Sequence, residues 1–405
     1  MPESPLRVAL LTNYVGAFSP SGGVAQLYKN LAEGLGRAGH HVTVIGVDVA
    51  PEYVSIQAWG TCVSLASRTF PKVRLPRSVM NALAVAREVF KRRRDFDVLE
   101  CSSWPGLGAF VGFVRAPLVV QVITSILVDS DVPRRMTLAQ FMLEFLTVRN
   151  AAFVIGSTTY ILEASKRQYR VRLPHSTRIP LGVPDVRAPD ISPEIRSRVR
   201  FLVIAGALRR KGTDVMLRAL EIAGRSRDDF EVVLICPHYA TYENYTSISS
   251  ERQQLWTSVN TLLGDRVTVI TEASEDEKLT ELMKAHFLIM PSRSESFGLP
   301  VVEAMRAGTP VISSSGGALG EVVGVADVNR IYDDPEDADA LAEIIVEMTS
   351  KGVEQALQRR SAARNAYEQY YTVDNFVAKS VLAYRAAIRL QSQNGSKARS
   401  RRGMP

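Results

Sequence analysis

The sequence predicts an α/β protein made of two Rossmann-like domains, each a parallel sheet covered by helices. The chain has 405 residues, which is too long for one ordinary core and suits two domains of roughly 150 to 200 residues each. Short apolar runs alternate with stretches of helical periodicity, as they do in parallel sheets. A polar stretch with two prolines, residues 187–198, separates two series of such runs and predicts a linker.

The first series predicts a first domain. A strand at residues 7–12 is followed by apolar side chains three to four residues apart, which indicate a helix that Gly39 ends. The later predicted strands are residues 42–47, 97–101, 117–123 and 152–156.

The second series predicts a second domain with the same alternation. Its predicted strands begin at residues 201, 232, 267, 286 and 309. A last helical pattern covers residues 373–390. The basic tail that follows, residues 393–405, has a composition that predicts disorder.

Composition narrows the class of protein. No apolar run approaches the roughly 18 residues of a membrane-spanning helix. The first residues, MPESPLRVALLTN, carry an acid and prolines where a signal peptide needs a basic stretch and an apolar one, so we expect a cytoplasmic protein. Cys62, Cys101 and Cys236 are odd in number and far apart, which favours reduced thiols over a disulfide framework or a zinc site.

One stretch, SRSESFGLPVVEAMRAGTPVI at residues 292–312, carries two carboxylates around a turn. A strand precedes it, and Pro300 favours the first turn of a helix. Ligands of open parallel sheets bind beyond the carboxyl ends of the strands, so Glu295 and Glu303 are placed to reach one. Alone, Glu295 would be a solvated loop residue and Glu303 a complement to a helix N-terminus. Together, and with Gly298 allowing close backbone approach, they indicate a binding site.

Two further elements favour phosphate or sugar oxygens. In GALRRKGTD, residues 206–214, Lys211 follows two arginines at the start of a helix, where unpaired N–H groups also attract anions. Gly22 and Gly23 follow the first strand and have no β-carbon to keep a ligand away. Either element alone would indicate only a solvated basic triplet or a turn.

Residues 291–311 resemble the Glu-x7-Glu motif of the retaining glycosyltransferases of family 4, Pro-Ser-x-x-Glu-x-Phe-Gly-Leu-Pro-x-x-Glu-Ala-Met-Ala-x-Gly-x-Pro-Val. SPSGGVAQ at residues 19–26 and the Arg-Lys-Gly element extend the resemblance. It implies the GT-B architecture, two Rossmann-like domains facing across a cleft with a C-terminal helix crossing back to the first. The implied acceptor domain is residues 1–185 with the crossing helix at 371–392, and the implied nucleotide-sugar donor domain is residues 186–370.

The resemblance also implies an activity. A sugar would pass from a nucleotide diphosphate sugar to a hydroxyl of a saccharide, lipid-linked or small-molecule acceptor in glycan biosynthesis, and the donor's base and sugar stay open. Two alternatives also stay open: a nucleotide-sugar epimerase or hydrolase of the same fold, and a nucleotide-sugar-binding pseudoenzyme.

Residue roles follow from the same resemblance. Lys211 and an arginine would contact the diphosphate. This element is one residue shorter than the commonest family form, so Arg209 and Arg210 both stay open, with Arg210 favoured. Glu295 would lie near the donor sugar hydroxyls and Glu303 at the ribose. The implied catalytic set is Lys211, Arg210 and Glu295; the implied donor site adds Gly22, Gly23, Arg209, Ser296, Phe297, Gly298, Leu299 and Glu303.

Many family members have a histidine after the fourth strand of the first domain. Here Ile123 or Thr124 stands in its place, which leaves no evident general base. Retention in the family is usually explained by the leaving phosphate taking the acceptor proton, so activity need not be lost.

No metal or other cofactor is expected, because Lys211 and its arginine supply the charge that a metal would bring. Three Asp-x-Asp pairs occur. Asp95/Asp97 enters a strand and Asp337/Asp339 begins a helix, so both read as structural. Asp129/Asp131 follows a strand and stays a candidate.

Charge is divided unevenly along the chain. Residues 1–190 carry 22 Lys and Arg against 14 Asp and Glu, whereas residues 191–388 carry 22 against 28. Basic clusters lie at Lys91–Arg94 and at Arg134 and Arg135. We expect no nucleic-acid partner, because no aromatic or recognition motif accompanies these clusters. An anionic acceptor or an anionic membrane surface fits the first domain better.

Overall fold

The computed structural model describes residues 4–13, 23–48, 53–66, 75–123, 137–185, 197–204, 209–235, 250–271 and 273–402. These residues form two compact units. The first contains the described residues up to Pro184 and from Thr372 onward, and the second contains those of Asp185–Tyr371.

The first unit is built on an eight-stranded sheet. The strands are β1 Arg7–Thr12, β2 His41–Asp48, β3 Tyr53–Gln57, β4 Gly60–Ala66, β5 Val98–Ser102, β6 Leu118–Val122, β7 Phe153–Gly156 and β8 Ser176–Arg178. Their order is β3-β4-β2-β1-β5-β6-β7-β8. Every pairing is parallel except that of β3 with β4.

The helices of this unit connect and cover the strands. Besides the last helix of the chain, they include α1 Gly23–Arg37, α2 Arg77–Lys91, α3 Leu138–Arg149 and α4 Thr159–Tyr169. α1 is strongly amphipathic, with Leu27, Leu31 and Leu35 buried. α3 and α4 begin with threonine caps whose hydroxyls accept the N–H of Gln140 and Ile161.

The second unit has a six-stranded sheet that is parallel throughout. Its strands, β9 Val199–Ile204, β10 Phe230–Ile235, β11 Val267–Ile270, β12 Phe287–Met290, β13 Val311–Ser314 and β14 Arg330–Tyr332, lie in the order β11-β10-β9-β12-β13-β14. Its helices are α5 Thr213–Ser226, α6 Ser250–Leu263, α7 Glu275–Lys284, α8 Leu299–Arg306, α9 Leu319–Val323, α10 Ala338–Gln358 and α11 Arg360–Tyr370.

Aromatic rings from three neighbouring strands fill the core of the second unit. Phe201 of β9 lies 5.9 Å from Phe230 of β10 and 5.8 Å from Phe287 of β12, measured between ring centroids. All three rings are buried. Because these strands set the position of the loops at their carboxyl ends, removal of one ring would disturb the site as well as the core.

The last helix, α12 Val373–Arg402, packs on α1 and on β5, β6 and β7 of the first unit. The Tyr384 hydroxyl of α12 donates a hydrogen bond to the Glu100 carboxylate of β5, and both side chains are fully buried. Burial raises the pKa of Glu100 to about 7, although the Tyr384 hydrogen bond opposes that rise.

Each predicted strand is present, with ends that differ only slightly from those expected. Four strands were not predicted. β3 and β4 alternate polar and apolar residues at the sheet edge, where Val54 and Ile56 are exposed, and β8 and β14 have three residues each.

The tail differs from expectation, because α12 stays helical as far as Arg402. The lysine, arginine, glutamine and alanine residues there propagate a helix at little cost once its first turns are packed. Most of the predicted linker, residues 187–196, lies outside the described residues.

Two observations agree with the composition. Cys62 and Cys101 are buried, and among the described residues neither is part of a disulfide. Among the described residues, no helix combines the length and apolar character needed to cross a membrane.

Candidate functional site

Two loops meet at the carboxyl edge of the second sheet. One is the short helical turn Arg209–Lys211 that leads into α5, and the other joins β12 to α8. The Arg293 N–H donates to the Arg210 carbonyl at 2.7 Å. Gly212 has a φ of 64°, and a β-carbon there would lie 1.8 Å from the Pro291 carbonyl oxygen. Only glycine permits this approach, so the backbone itself holds the two loops together.

Glu295 is the centre of a cluster of donors on these loops. One of its oxygens, Oε1, lies 2.6 Å from the Lys211 Nζ and 3.5 Å from an Arg210 guanidinium nitrogen. The Ser292 hydroxyl donates to the same oxygen at 3.1 Å. The Glu295 side chain is only 9% exposed. A carboxylate so far removed from water is stabilised by this convergence of two cations and a hydroxyl.

A third loop supports Glu295 from its other side. The Ala318 N–H donates to the Glu295 carbonyl at 2.9 Å, and Gly317 pairs with Glu295 in an isolated parallel bridge. A β-carbon on Gly317, whose φ is 65°, would lie 2.5 Å from the Glu295 carbonyl oxygen. The glycines that follow β13 therefore serve close packing against the loop that carries Glu295.

Glu303, on α8, has a separate cation. The Lys278 ammonium of α7 lies 3.2 to 3.3 Å from the two Glu303 oxygens and 2.7 Å from a Glu275 oxygen. Burial acts to lower the pKa of Lys278, but the Glu303 and Glu275 carboxylates outweigh it and the pKa is raised. Both carboxylates of the motif are thus held by lysines, each from a different helix or turn.

The structure separates the two arginines that the sequence leaves open. The Arg210 side chain is 23% exposed and points to Glu295, whereas Arg209 is 63% exposed and lies 3.4 Å from Glu336. Of the two, only Arg210 shares a partner with Lys211, which favours Arg210 as the second cation of the cluster.

The remaining motif residues divide by exposure. Phe297 is buried, with its ring 6.0 Å from that of Tyr371, so its side chain serves the core and only its backbone is available to a ligand. Gly298 has a φ of 89° and starts α8, with Pro300 in the first turn. Ser296 and Leu299 are partly exposed.

Several residues predicted in the first half of the chain fall in segments that the structure does not describe. Gly22, Thr124, Asp129/Asp131 and Arg134/Arg135 lie outside the described residues. Gly23 is the first residue of α1, and Ile123 directly follows β6.

In each of the two other Asp-x-Asp pairs, one residue has a structural partner. Asp97 forms a salt bridge of 2.7 Å with Arg7, and Asp337 caps α10 by accepting the Ala340 N–H. Within the described ranges, no group of three or more His, Cys, Asp or Glu side chains is arranged to hold a metal ion.

Three charged residues at the site were missed by sequence reasoning. Lys278 stands in the run EDEK, which is typical of a solvated helix face. Arg293 occupies a position that the motif leaves unspecified, and Glu336, its partner at 2.5 Å, is far away in sequence. No signal in a single sequence distinguishes them from ordinary surface charges.

Comparisons with known proteins agree in both halves of the chain. Residues 22–182 match the family described as the glycosyl transferase 4-like domain, and residues 190–369 match glycosyl transferases group 1. The chain is 28% identical over 336 residues to the MMP alpha-(1->4)-mannosyltransferase of Mycolicibacterium hassiacum, which covers 76% of this chain and 74% of the relative.

Solved structures share the fold at lower identity. Sucrose-phosphate synthase from Thermosynechococcus elongatus superposes with a TM-score of 0.69 at 21% identity, over 94% of this chain and 98% of its own. Anabaena HepE in complex with UDP and glucose gives 0.64 at 16% identity, over 93% and 98%. Both comparisons give the described α/β chain the GT-B fold. With matching domains in both halves, the Glu-x7-Glu motif and this fold, the chain belongs to the family 4 type of GT-B glycosyltransferases.

Proposed function

We propose that this glycosyltransferase retains the configuration of a sugar that it takes from a nucleotide diphosphate donor. The observation that carries the proposal is the convergence of Lys211, Arg210 and Ser292 on the buried Glu295 carboxylate. Such a cluster offers cations to a diphosphate and an acceptor oxygen to a sugar hydroxyl within one group of side chains. The mannosyltransferase relative and the UDP and glucose complex of HepE support a donor of this class.

Lys211 can serve both partners at once. An ammonium has three N–H donors, so one can stay on Glu295 while another reaches a diphosphate oxygen. The N-terminus of α5, which begins two residues later at Thr213, adds backbone N–H groups of the kind that bind phosphate.

The proposed reaction balances without a protein base. The bond between the anomeric carbon and the diphosphate oxygen breaks, and the acceptor hydroxyl oxygen bonds to that carbon from the same face. The hydroxyl proton passes to the departing phosphate oxygen. Lys211 and Arg210 stabilise the negative charge that gathers on the diphosphate, which is usually the largest single contribution to such a rate.

The two glutamates are proposed to bind the two ends of the sugar nucleotide. Glu295, fixed on both sides by neighbouring loops, accepts hydrogen bonds from the transferred sugar. Glu303 accepts hydrogen bonds from the ribose, and Lys278 holds it in place. We propose no metal ion or other cofactor, since the cations of the cluster meet the charge of the leaving group.

We propose that the protein is cytoplasmic and that its first unit binds reversibly to an anionic membrane. A lipid-linked acceptor would lie at that membrane. On α2, Leu83 and Phe90 are 40% and 51% exposed. The Arg93 guanidinium lies 4.7 Å from the centre of the Phe90 ring. Exposed apolar side chains beside cations suit the interface of an anionic bilayer.

The charge available to a membrane is smaller than the sequence suggests. Lys91 and Arg92 both form salt bridges with Glu88, at 3.0 and 2.8 Å. Lys91 stays exposed despite its salt bridge, and Arg87, Arg93 and Arg94 are exposed as well.

The enzymatic proposal is tested with a panel of nucleotide sugars. A bound donor raises the midpoint of thermal unfolding, which selects the donor. Incubation with that donor and candidate hydroxyl acceptors should then give a glycoside whose anomeric configuration, read by NMR, equals that of the donor. An inverted product would refute retention, an isomerised donor would indicate an epimerase, and saturable binding without turnover would indicate a pseudoenzyme.

A further inference from the structure

Arg293 ties the two loops of the site together with both its backbone and its side chain. Its guanidinium donates to the Arg209 carbonyl at 2.8 Å, and its backbone N–H donates to the Arg210 carbonyl. It lies two residues before Glu295. One residue thus contacts the backbone of the turn that carries Lys211 from within the loop that carries Glu295.

Two carboxylates hold this guanidinium in place. Asp214 accepts from both terminal nitrogens at 2.7 and 2.9 Å, and Glu336 accepts at 2.6 and 2.5 Å. The Arg293 side chain is only 11% exposed. Planar contacts of this kind fix the orientation of an arginine as well as its position.

The charge of Arg293 would also affect an anionic ligand, because it offsets the charge of Asp214. Asp214 lies in the first turn of α5, next to the helix end that would attract a phosphate. An uncompensated carboxylate at that place would repel a diphosphate. The contact with Arg293 neutralises it where the donor would bind.

We propose that Arg293 is a positioning residue that holds Lys211 and Arg210 against Glu295 and screens Asp214 from the donor diphosphate. The inference rests on the proposed function, because it assigns the diphosphate to this cluster. Arg293 itself need not touch the donor.

The test compares Arg293→Met with Arg200→Met. Arg200 is a matched control, since it is 12% exposed and also holds two carboxylates, Glu231 and Glu281, at 2.7 and 2.5 Å. It lies near the amino end of β9, at the edge of the sheet opposite the site. Both variants break a buried ion network in the same unit, and only one of these networks contacts the turn.

Arg293→Met should lower kcat about 10- to 100-fold, the loss that follows a misplacement of catalytic groups by about 1 Å, and should raise the donor KM. Arg200→Met should lower thermal stability to a similar degree with kcat and the donor KM unchanged. Arg293→Lys should recover only part of kcat, because an ammonium cannot reproduce the planar contacts.

Two double variants test the two parts of the proposal. If Arg293 acts through Lys211, the losses in kcat from Arg293→Met and Lys211→Ala will be less than additive. If it screens Asp214, Asp214→Asn in the Arg293→Met background will restore much of the donor KM and little of kcat. Additive losses in kcat would overturn the positioning role, and an unchanged donor KM would overturn the screening role.

The outcomes also separate this inference from the proposed function. Normal turnover by Lys211→Ala would remove the proposed function itself. Loss of turnover in Lys211→Ala with Arg293→Met behaving like Arg200→Met would remove only the role of Arg293. If Arg293→Met does not fold, Glu336→Gln takes its place, because Glu336 is half exposed and its substitution leaves no buried charge. A several-fold loss of kcat in folded Glu336→Gln supports the role, and normal kcat overturns it.

Discussion

Glu295 and Glu100 are both buried carboxylates, one in each unit, and their surroundings differ in kind. Glu295 follows the carboxyl end of β12 and has two cations and a hydroxyl around one oxygen. Glu100 lies in the middle of β5, and the only hydrogen-bond partner of its carboxylate among the described residues is the Tyr384 hydroxyl. Burial alone therefore does not mark a functional carboxylate; the cations around it and its place in the sheet do.

The two carboxylates should therefore respond in opposite ways to substitution. Around Glu295, a change of partner should alter turnover while the fold persists. Around Glu100, a change should alter the stability of the first unit and its dependence on pH.

Removal of the cation at Glu295 should have the largest effect. Lys211→Ala should lower kcat by about 100-fold or more, as the loss of one preorganised charge donor does elsewhere. The variant should stay folded but lose some thermal stability, because Arg210 and Ser292 still contact the buried Glu295 carboxylate. Steady-state kinetics with the selected donor provide the measurement. Lys351→Ala is the control, since Lys351 forms a salt bridge with Glu347 on α10. Near-normal turnover by Lys211→Ala would show that the cation at Glu295 does not contribute to catalysis.

Neutralising Glu100 should remove a dependence of stability on pH. Because the folded pKa is raised to about 7, the protonated form stabilises the fold at acidic pH, and this contribution is lost as pH rises towards about 7. The loss should reach on the order of 3 kcal/mol, at about 1.4 kcal/mol for each unit of pKa. Glu100→Gln should show no such loss of stability as pH rises.

Chemical denaturation of both proteins between pH 4.5 and pH 8 gives the measurement. The free energy of unfolding of Glu100→Gln relative to the native chain should increase across this range and level off above about pH 7. Parallel curves would show that Glu100 is ionised in the folded protein, and the comparison with Glu295 would lose its basis.

Glu303 tests whether a second carboxylate with its own lysine behaves like Glu295. Glu303→Ala should raise the donor KM about 10-fold, the order expected when hydrogen bonds to a charged group are lost, with a smaller change in kcat. The donor KM of Glu303→Gln should lie between those of the native chain and of Glu303→Ala, since an amide oxygen still accepts a hydrogen bond from one hydroxyl. A large fall in kcat at unchanged KM would place Glu303 at the reacting centre instead of at the ribose.

The sequence predicted the strands well because most are apolar runs buried on both faces of a parallel sheet. It predicted the alternating edge strands β3 and β4 poorly, since partly exposed strands lack such runs. The motif predicted that Glu295 and Lys211 matter, but not that they touch across 84 residues. Lys278 and Arg293 could not be predicted, because their significance depends on partners that only the fold brings close.

The contrast between the units extends to their surfaces, where smaller effects are expected. The chain should bind anionic liposomes at low ionic strength and release them as salt rises, because each basic residue near the surface contributes about 1 kcal/mol. Arg93→Gln should weaken sedimentation with liposomes more than Lys91→Gln, since Lys91 is paired with Glu88. Equal sedimentation of the protein with neutral and anionic liposomes would indicate a small water-soluble acceptor.

Chelation should have no effect on turnover. If Lys211 and Arg210 supply the charge at the diphosphate, the rate with EDTA should equal the rate without it. Complete loss that Mn²⁺ or Mg²⁺ restores would instead assign Asp129/Asp131 as metal ligands.

The packing of α12 on the first sheet has a consequence for synthesis on the ribosome. The sheet is complete at Arg178, but the helix that covers Glu100 begins only at Val373. At ~5–20 residues per second, translation of the roughly 195 intervening residues takes roughly 10 to 40 s. During that time the second unit can fold, while the face of the first sheet that later receives α12 stays uncovered. The first unit therefore cannot complete its packing until α12 has been synthesised.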